Sequence, residues 1–107
     1  MKPPRYIERD QIKARFFLMY FLYSRVKYGT KGSDMHRLGK MSAYKAMMLI
    51  YKDYTLSGER ILSVHVEYTL QALCKKAQRM VPKGEFQEMF IQTVETFLES
   101  PENVGIL

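Results

Sequence analysis

Cysteine and histidine are scarce in this chain of 107 residues, and their scarcity excludes several kinds of site. Cys74 is the only cysteine, so no disulfide can form within the chain, and a zinc site built on paired thiolates lacks its second sulfur. His36 and His65 lie 29 residues apart with no clustered carboxylates beside them, a spacing that does not predict a metal site. We therefore expect no metal, no other cofactor and a reducing compartment.

The common catalytic motifs are also missing from the sequence. The chain holds no Gly-x-Ser-x-Gly sequence and no glycine-rich loop that ends in Lys-Ser or Lys-Thr, so neither a hydrolase nucleophile nor a P-loop is indicated. His65 and Cys74 lie nine residues apart on one predicted helix, which places them on opposite sides of it and out of reach of each other. We therefore predict a protein that is not an enzyme and takes no small-molecule substrate.

Long hydrophobic runs are absent as well. The longest apolar run, residues 16–23, has eight residues, well short of the roughly 20 that a membrane-spanning helix needs. The polar residues that precede it do not form a signal peptide. Hydrophobic residues at 47% and charged residues at 26% are typical of a globular protein. We expect a cytoplasmic protein without a membrane partner, with one domain over residues 1–100 and a short tail over residues 101–107.

Charge is distributed unevenly along the chain. All 17 lysines and arginines lie at or before Lys83, and only six acids accompany them there. Residues 84–107 contain five glutamates and no base. The net charge of +6 thus divides into a strongly basic body and an acidic final segment. A basic surface of this kind favours a polyanionic partner, unless the acidic segment folds back onto it.

Helical periodicity runs through most of the chain. In residues 62–68 apolar and polar residues alternate as in a strand, but the helical spacing around them continues over about five turns and is the stronger match. For residues 33–54 the pattern fits either one bent helix or a short helix and a longer one that meet near Gly39. Short connections favour an all-α fold, a small bundle of four or five helices. The clearest apolar stripes predict helices over residues 7–28, 58–80 and 85–99.

Two short segments have the composition of known nucleic-acid-binding turns. Residues 29–32, Gly-Thr-Lys-Gly, resemble the Gly-x-x-Gly loop of KH domains, although a plain turn between helices is favoured because no predicted strands flank them. Residues 37–42 resemble the turn of a helix-turn-helix, but the helix that follows is mostly apolar where a groove-reading helix is polar. Neither resemblance assigns the chain to a family.

Basic residues are concentrated between residues 25 and 52, with Tyr28 among them, and a second cluster ends the helix predicted at 58–80. Cations neutralise phosphates, and an exposed aromatic ring can stack on a base. The alternatives are a solvated surface for the first cluster and helix-dipole contacts for the second. We predict a regulator or small subunit of a nucleoprotein complex that contacts the phosphates of DNA or RNA. Its predicted contact residues are Arg25, Lys27, Tyr28, Lys31, Arg37, Lys40, Lys45, Lys52, Lys75, Lys76 and Arg79.

The apolar run at residues 16–23 supports a second hypothesis. A helix that is apolar around its whole circumference is either buried on several sides or keeps one face for another chain. Methionine is common on adaptable binding surfaces. The alternative function is therefore an adaptor or inhibitor that docks on an acidic protein, or a chain that self-associates. The predicted interface residues are Phe17, Phe21, Met47 and Met48.

Overall fold

The computed structural model describes residues 3–100, and four helices occupy most of that range. This confirms the predicted all-α bundle, with four helices. The predicted tail at residues 101–107 lies outside the described residues. Within residues 3–100, none of the helices has the length and apolar character that crossing a membrane requires. The helices are α1 (Arg9–Lys27), α2 (Asp34–Ser57), α3 (Ser63–Met80) and α4 (Glu85–Glu99).

A two-stranded antiparallel ribbon precedes α1 and α3, and the sequence patterns did not predict it. β1 (Tyr6–Glu8) pairs with β2 (Arg60–Leu62), and Ile7 lies opposite Ile61. The ribbon corrects two predicted boundaries, because α1 begins two residues later than expected and α3 begins only after β2. A strand of three residues is too short to show a period, and it is stabilised by a partner far away in the sequence.

Helix α2 lies between α1 and α4, while α3 packs against α4. α2 runs unbroken through Gly39, so of the two alternatives for residues 33–54 the single helix is the correct one. Residues 37–42 lie inside this helix, so their resemblance to the turn of a helix-turn-helix is wrong. Gly39 is buried against α4, where an added Cβ would lie only 2.6 Å from the carbonyl oxygen of Phe86. The glycine therefore does not end the helix. Its missing side chain instead lets α2 and α4 approach each other closely.

The core forms on the side of α2 that carries a buried residue at every fourth position, Gly39, Ala43, Met47 and Tyr51. The Tyr51 ring packs edge-on against Phe97 of α4 at 6.0 Å, and its hydroxyl accepts a hydrogen bond from Arg15 Nη1 at 3.3 Å. Met47 is fully buried here, so its predicted place in an outward interface is wrong. Met48 is half-buried and packs against the same core, which leaves little of it for a partner.

Candidate nucleic-acid interface

A pocket of about 550 Å³ opens between the end of α1, the turn that follows it, the start of α2 and Thr96 of α4. None of its lining residues is an acid, and four of them are the predicted contact residues Arg25, Lys31, Arg37 and Lys40. The rest of the lining is uncharged apart from His36, and its larger side chains are the apolar or aromatic Leu22, Val26, His36 and Tyr44. The pocket therefore combines a concentration of positive charge with surfaces that an apolar ring can contact.

The turn between α1 and α2 gives the pocket one of its walls. Gly32 has a φ of 82°, in the left-handed region that glycine adopts without strain, and an added Cβ would meet the His36 ring at 2.8 Å. Ser33 caps the start of α2, because its Oγ accepts a hydrogen bond from the His36 amide at 3.2 Å. The favoured interpretation of residues 29–32 as a turn between helices is confirmed.

Arg37 holds this turn against the helices on either side of it. Its Nη1 donates to the Gly29 carbonyl at 2.8 Å, and its Nη2 donates to Asp34 Oδ1 at 2.7 Å. The Nε of Arg37 is buried and has no hydrogen-bond partner in residues 3–100. Arg37 therefore chiefly holds the pocket wall in place, since two of its guanidinium nitrogens already bond to Gly29 and Asp34.

The other three cations of the pocket are not neutralised within the described part of the chain. Arg37 with Asp34 is the one ion pair formed between residues 3 and 100, and it leaves Arg25, Lys31 and Lys40 without an acidic partner there. The glutamates of α4 thus do not pair with the basic residues of α1 and α2. Burial raises the pKa of the Tyr44 phenol, although the positive charge of Arg25 acts in the opposite direction. Tyr44 therefore stays neutral and can donate a hydrogen bond.

The remaining predicted contact residues do not line the pocket. Lys27 lies beside it at the end of α1, with its Nζ 5.6 Å from the centre of the strongly exposed Tyr28 ring. Two further lysines project from the exposed side of α2, and the second basic cluster belongs to α3. The pocket thus brings together four of the predicted contact residues and leaves the others outside it. Those outside the pocket on α2 and α3 are Lys45, Lys52, Lys75, Lys76 and Arg79.

Helix α1 exposes a row of aromatic rings on the side away from the core. Phe17, Tyr20 and Phe21 have exposed fractions of 64%, 57% and 56%, whereas Met19 and Leu22 of the same helix are buried. Phe17 and Phe21 are thus accessible, as the predicted interface requires. Tyr20 was not among the predicted interface residues, although its spacing of three residues from Phe17 makes the two side chains neighbours on a helix.

The sequence patterns also missed Tyr44 and His36 as pocket residues. Both lie on α2 at helical spacing from Lys40, which is the signal that could have indicated them. Residues 3–100 contain no group of three or more His, Cys, Asp or Glu side chains placed to hold a metal ion. Comparisons of the chain with protein-family models, with curated proteins and with solved structures found no match.

Proposed function

We propose that this protein binds nucleic acid through phosphates held in the pocket between α1 and α2. The observation that carries the proposal is the convergence of Arg25, Lys31 and Lys40 on one concave site whose lining contains no acid. Lysine and arginine side chains that neutralise phosphates supply most of the affinity of non-specific nucleic-acid binding, because bound counterions are released. A polyanion is therefore the ligand that this charge distribution favours.

Contacts of this kind position a nucleic acid without identifying its sequence. Sequence recognition in duplex DNA needs a helix or ribbon whose polar side chains reach base edges in the major groove. Helix α2 does not supply one, since one of its sides is buried between α1 and α4 and its exposed side offers the base edges chiefly Lys45 and Lys52. We therefore propose a binding protein of low sequence specificity, acting as a regulator or as a small subunit of a nucleoprotein complex.

The salt dependence of oligonucleotide binding tests the proposal. If Arg25, Lys31 and Lys40 each neutralise one phosphate, the slope of log affinity against log salt is about −2 for a single strand and about −2.7 for a duplex. Between about 50 and 200 mM salt, the affinity should then fall roughly 20-fold for a single strand and roughly 40-fold for a duplex. Fluorescence anisotropy with a labelled oligonucleotide measures both values.

A pair of charge variants tests whether the nucleic acid binds at the pocket. Lys31→Gln with Lys40→Gln should reduce the single-strand slope by about 1.4, because two phosphate contacts are lost. The matched control, Lys75→Gln with Lys76→Gln, removes the same charge from α3 and should leave the slope unchanged. Helical circular dichroism should be the same in all three proteins. An absence of binding at low salt, or an equal loss in both variants, would contradict the proposal.

A second candidate function is an adaptor or inhibitor for an acidic protein, and the exposed rings of α1 are the observation in its favour. In that case Phe17 and Phe21 form the centre of the interface, and the positive charge of the pocket speeds association without adding much affinity. Phe17→Ser with Phe21→Ser would then abolish capture of the partner. Lys31→Gln with Lys40→Gln would chiefly slow its association.

A further inference from the structure

The exposed aromatic row of α1 (Phe17, Tyr20 and Phe21) places three large rings on one open helix face. All three rings are more than half exposed, and they lie side by side because their spacing is three and four residues. Contiguous exposed apolar patches often mark a binding site. We therefore consider which ligand could cover the aromatic row. The charge of the surrounding residues favours one class of ligand.

No aspartate or glutamate occurs between residues 11 and 33, a segment that includes the aromatic row, the turn and five cations. A second copy of the chain fits this surface poorly. Pairing two α1 helices in the antiparallel direction, with Phe17 on Phe21, places Lys13 near Arg25 of the other copy, and the parallel direction places each lysine near its own counterpart. Like charges of the two copies then face each other. A negatively charged occupant avoids this repulsion.

The aromatic row leads directly into the pocket. Arg25 lines the pocket and lies one helical turn after Phe21, which itself lies one turn after Phe17. Phe17 and Arg25 are thus separated by about 12 Å along the helix axis. A strand that places a phosphate at Arg25 can follow α1 and bring its neighbouring bases over the rings. Tyr28, with Lys27 beside it, extends the same surface past the end of the helix.

We infer, resting on the proposed function, that the ligand is a single-stranded nucleic acid whose unpaired bases stack on Phe17, Tyr20 and Phe21 while its phosphates occupy the adjacent pocket. The combination of a positive groove and aromatic side chains is the one that single-strand-binding proteins use. Bases inside a duplex are already stacked on each other and cannot reach the rings. The aromatic row therefore distinguishes a single strand from a duplex, whereas the pocket binds both.

The test compares a mixed-sequence oligonucleotide of roughly 16 nucleotides with the duplex of the same sequence. The single strand should bind the unmodified protein more tightly. Phe17→Ser with Phe21→Ser should weaken single-strand binding at least about fivefold for each ring and change duplex binding less than about twofold. The matched control, Val64→Ser with Tyr68→Ser, alters two α3 side chains of similar exposure, 64% and 69%, and should affect neither ligand.

The results separate this inference from the proposed function. Equal binding of single strand and duplex, with no effect of the aromatic variant, overturns the inference while the loss in Lys31→Gln with Lys40→Gln still supports the pocket. An absence of all oligonucleotide binding overturns both. A dimer that sediments as such only when Phe17 and Phe21 are intact assigns the row to a second copy and overturns the inference. Should the aromatic variant misfold, the strand preference of the unmodified protein decides.

Discussion

The close contact between α2 and α4 at Gly39 can be tested by adding a single methyl group. In Gly39→Ala the new Cβ would lie 2.6 Å from the Phe86 carbonyl oxygen and 3.0 Å from Met89 Cβ, whereas ordinary contacts begin at 3.4 Å. The nearest obstacle is backbone, which cannot turn aside as the end of a side chain can. Helix α4 must therefore move back by about 0.8 Å against a tightly packed core.

The direction in which Gly39→Ala changes the stability distinguishes steric overpacking from helix propensity. Alanine in place of glycine inside a helix normally stabilises it by about 1 kcal/mol. Overpacking of this kind costs about 1–3 kcal/mol, and a backbone obstacle places Gly39→Ala near the upper end of that range. We expect the free energy of unfolding to fall by about 2 kcal/mol, which corresponds to a melting temperature roughly 8–16 °C lower. Oligonucleotide affinity should fall too, because Lys40 and Thr96 line the pocket from the two displaced helices.

Urea unfolding followed by circular dichroism measures the change, and Gly58→Ala is its matched control. No atom lies within 4 Å of a Cβ added at Gly58, and the φ of 172° is extended backbone that any residue adopts. Gly58→Ala should leave stability unchanged or raise it by less than about 1 kcal/mol. If the Gly39→Ala protein proves as stable as the Gly58→Ala protein, the close packing of α2 on α4 is refuted.

Two further predictions concern buried side chains. Met47→Ala should lower the free energy of unfolding, measured in urea, by about 2–5 kcal/mol, because truncation of a fully buried side chain leaves a cavity. An unchanged free energy of unfolding would contradict the burial of Met47. Burial, aided by the charge of Glu95, raises the pKa of the Cys74 thiol above its ordinary value of 9.0. The thiol of the unfolded chain therefore ionises at a lower pH than that of the folded chain, and stability should fall as the pH rises past about 9. Cys74→Ala should make that fall smaller, and an identical pH profile would contradict the assignment.

The candidate site was predictable in its chemistry but not in its extent. The charge count singled out Arg25, Lys31 and Lys40, which line one pocket in the structure, because a segment rich in cations and poor in acids is visible in the sequence. It could not separate them from Lys75 and Lys76, which have the same chemistry but lie on α3 and line no part of the pocket. Which cations share a pocket depends on how helices pack, and a list of residue types holds no such information.

The sequence by itself determined the all-helical character of the chain and, most sharply, α4, whose apolar stripe opposite its glutamates predicted Glu85–Glu99. A helical stripe is a local property, since residues three and four apart share a face whatever surrounds them. Only the tertiary structure decided the pairing of β1 with β2, the burial of Met47 and the meeting of α1, α2 and α4 around the pocket. Each of these joins segments that are distant along the chain, and their contact energies depend on the arrangement of the whole bundle.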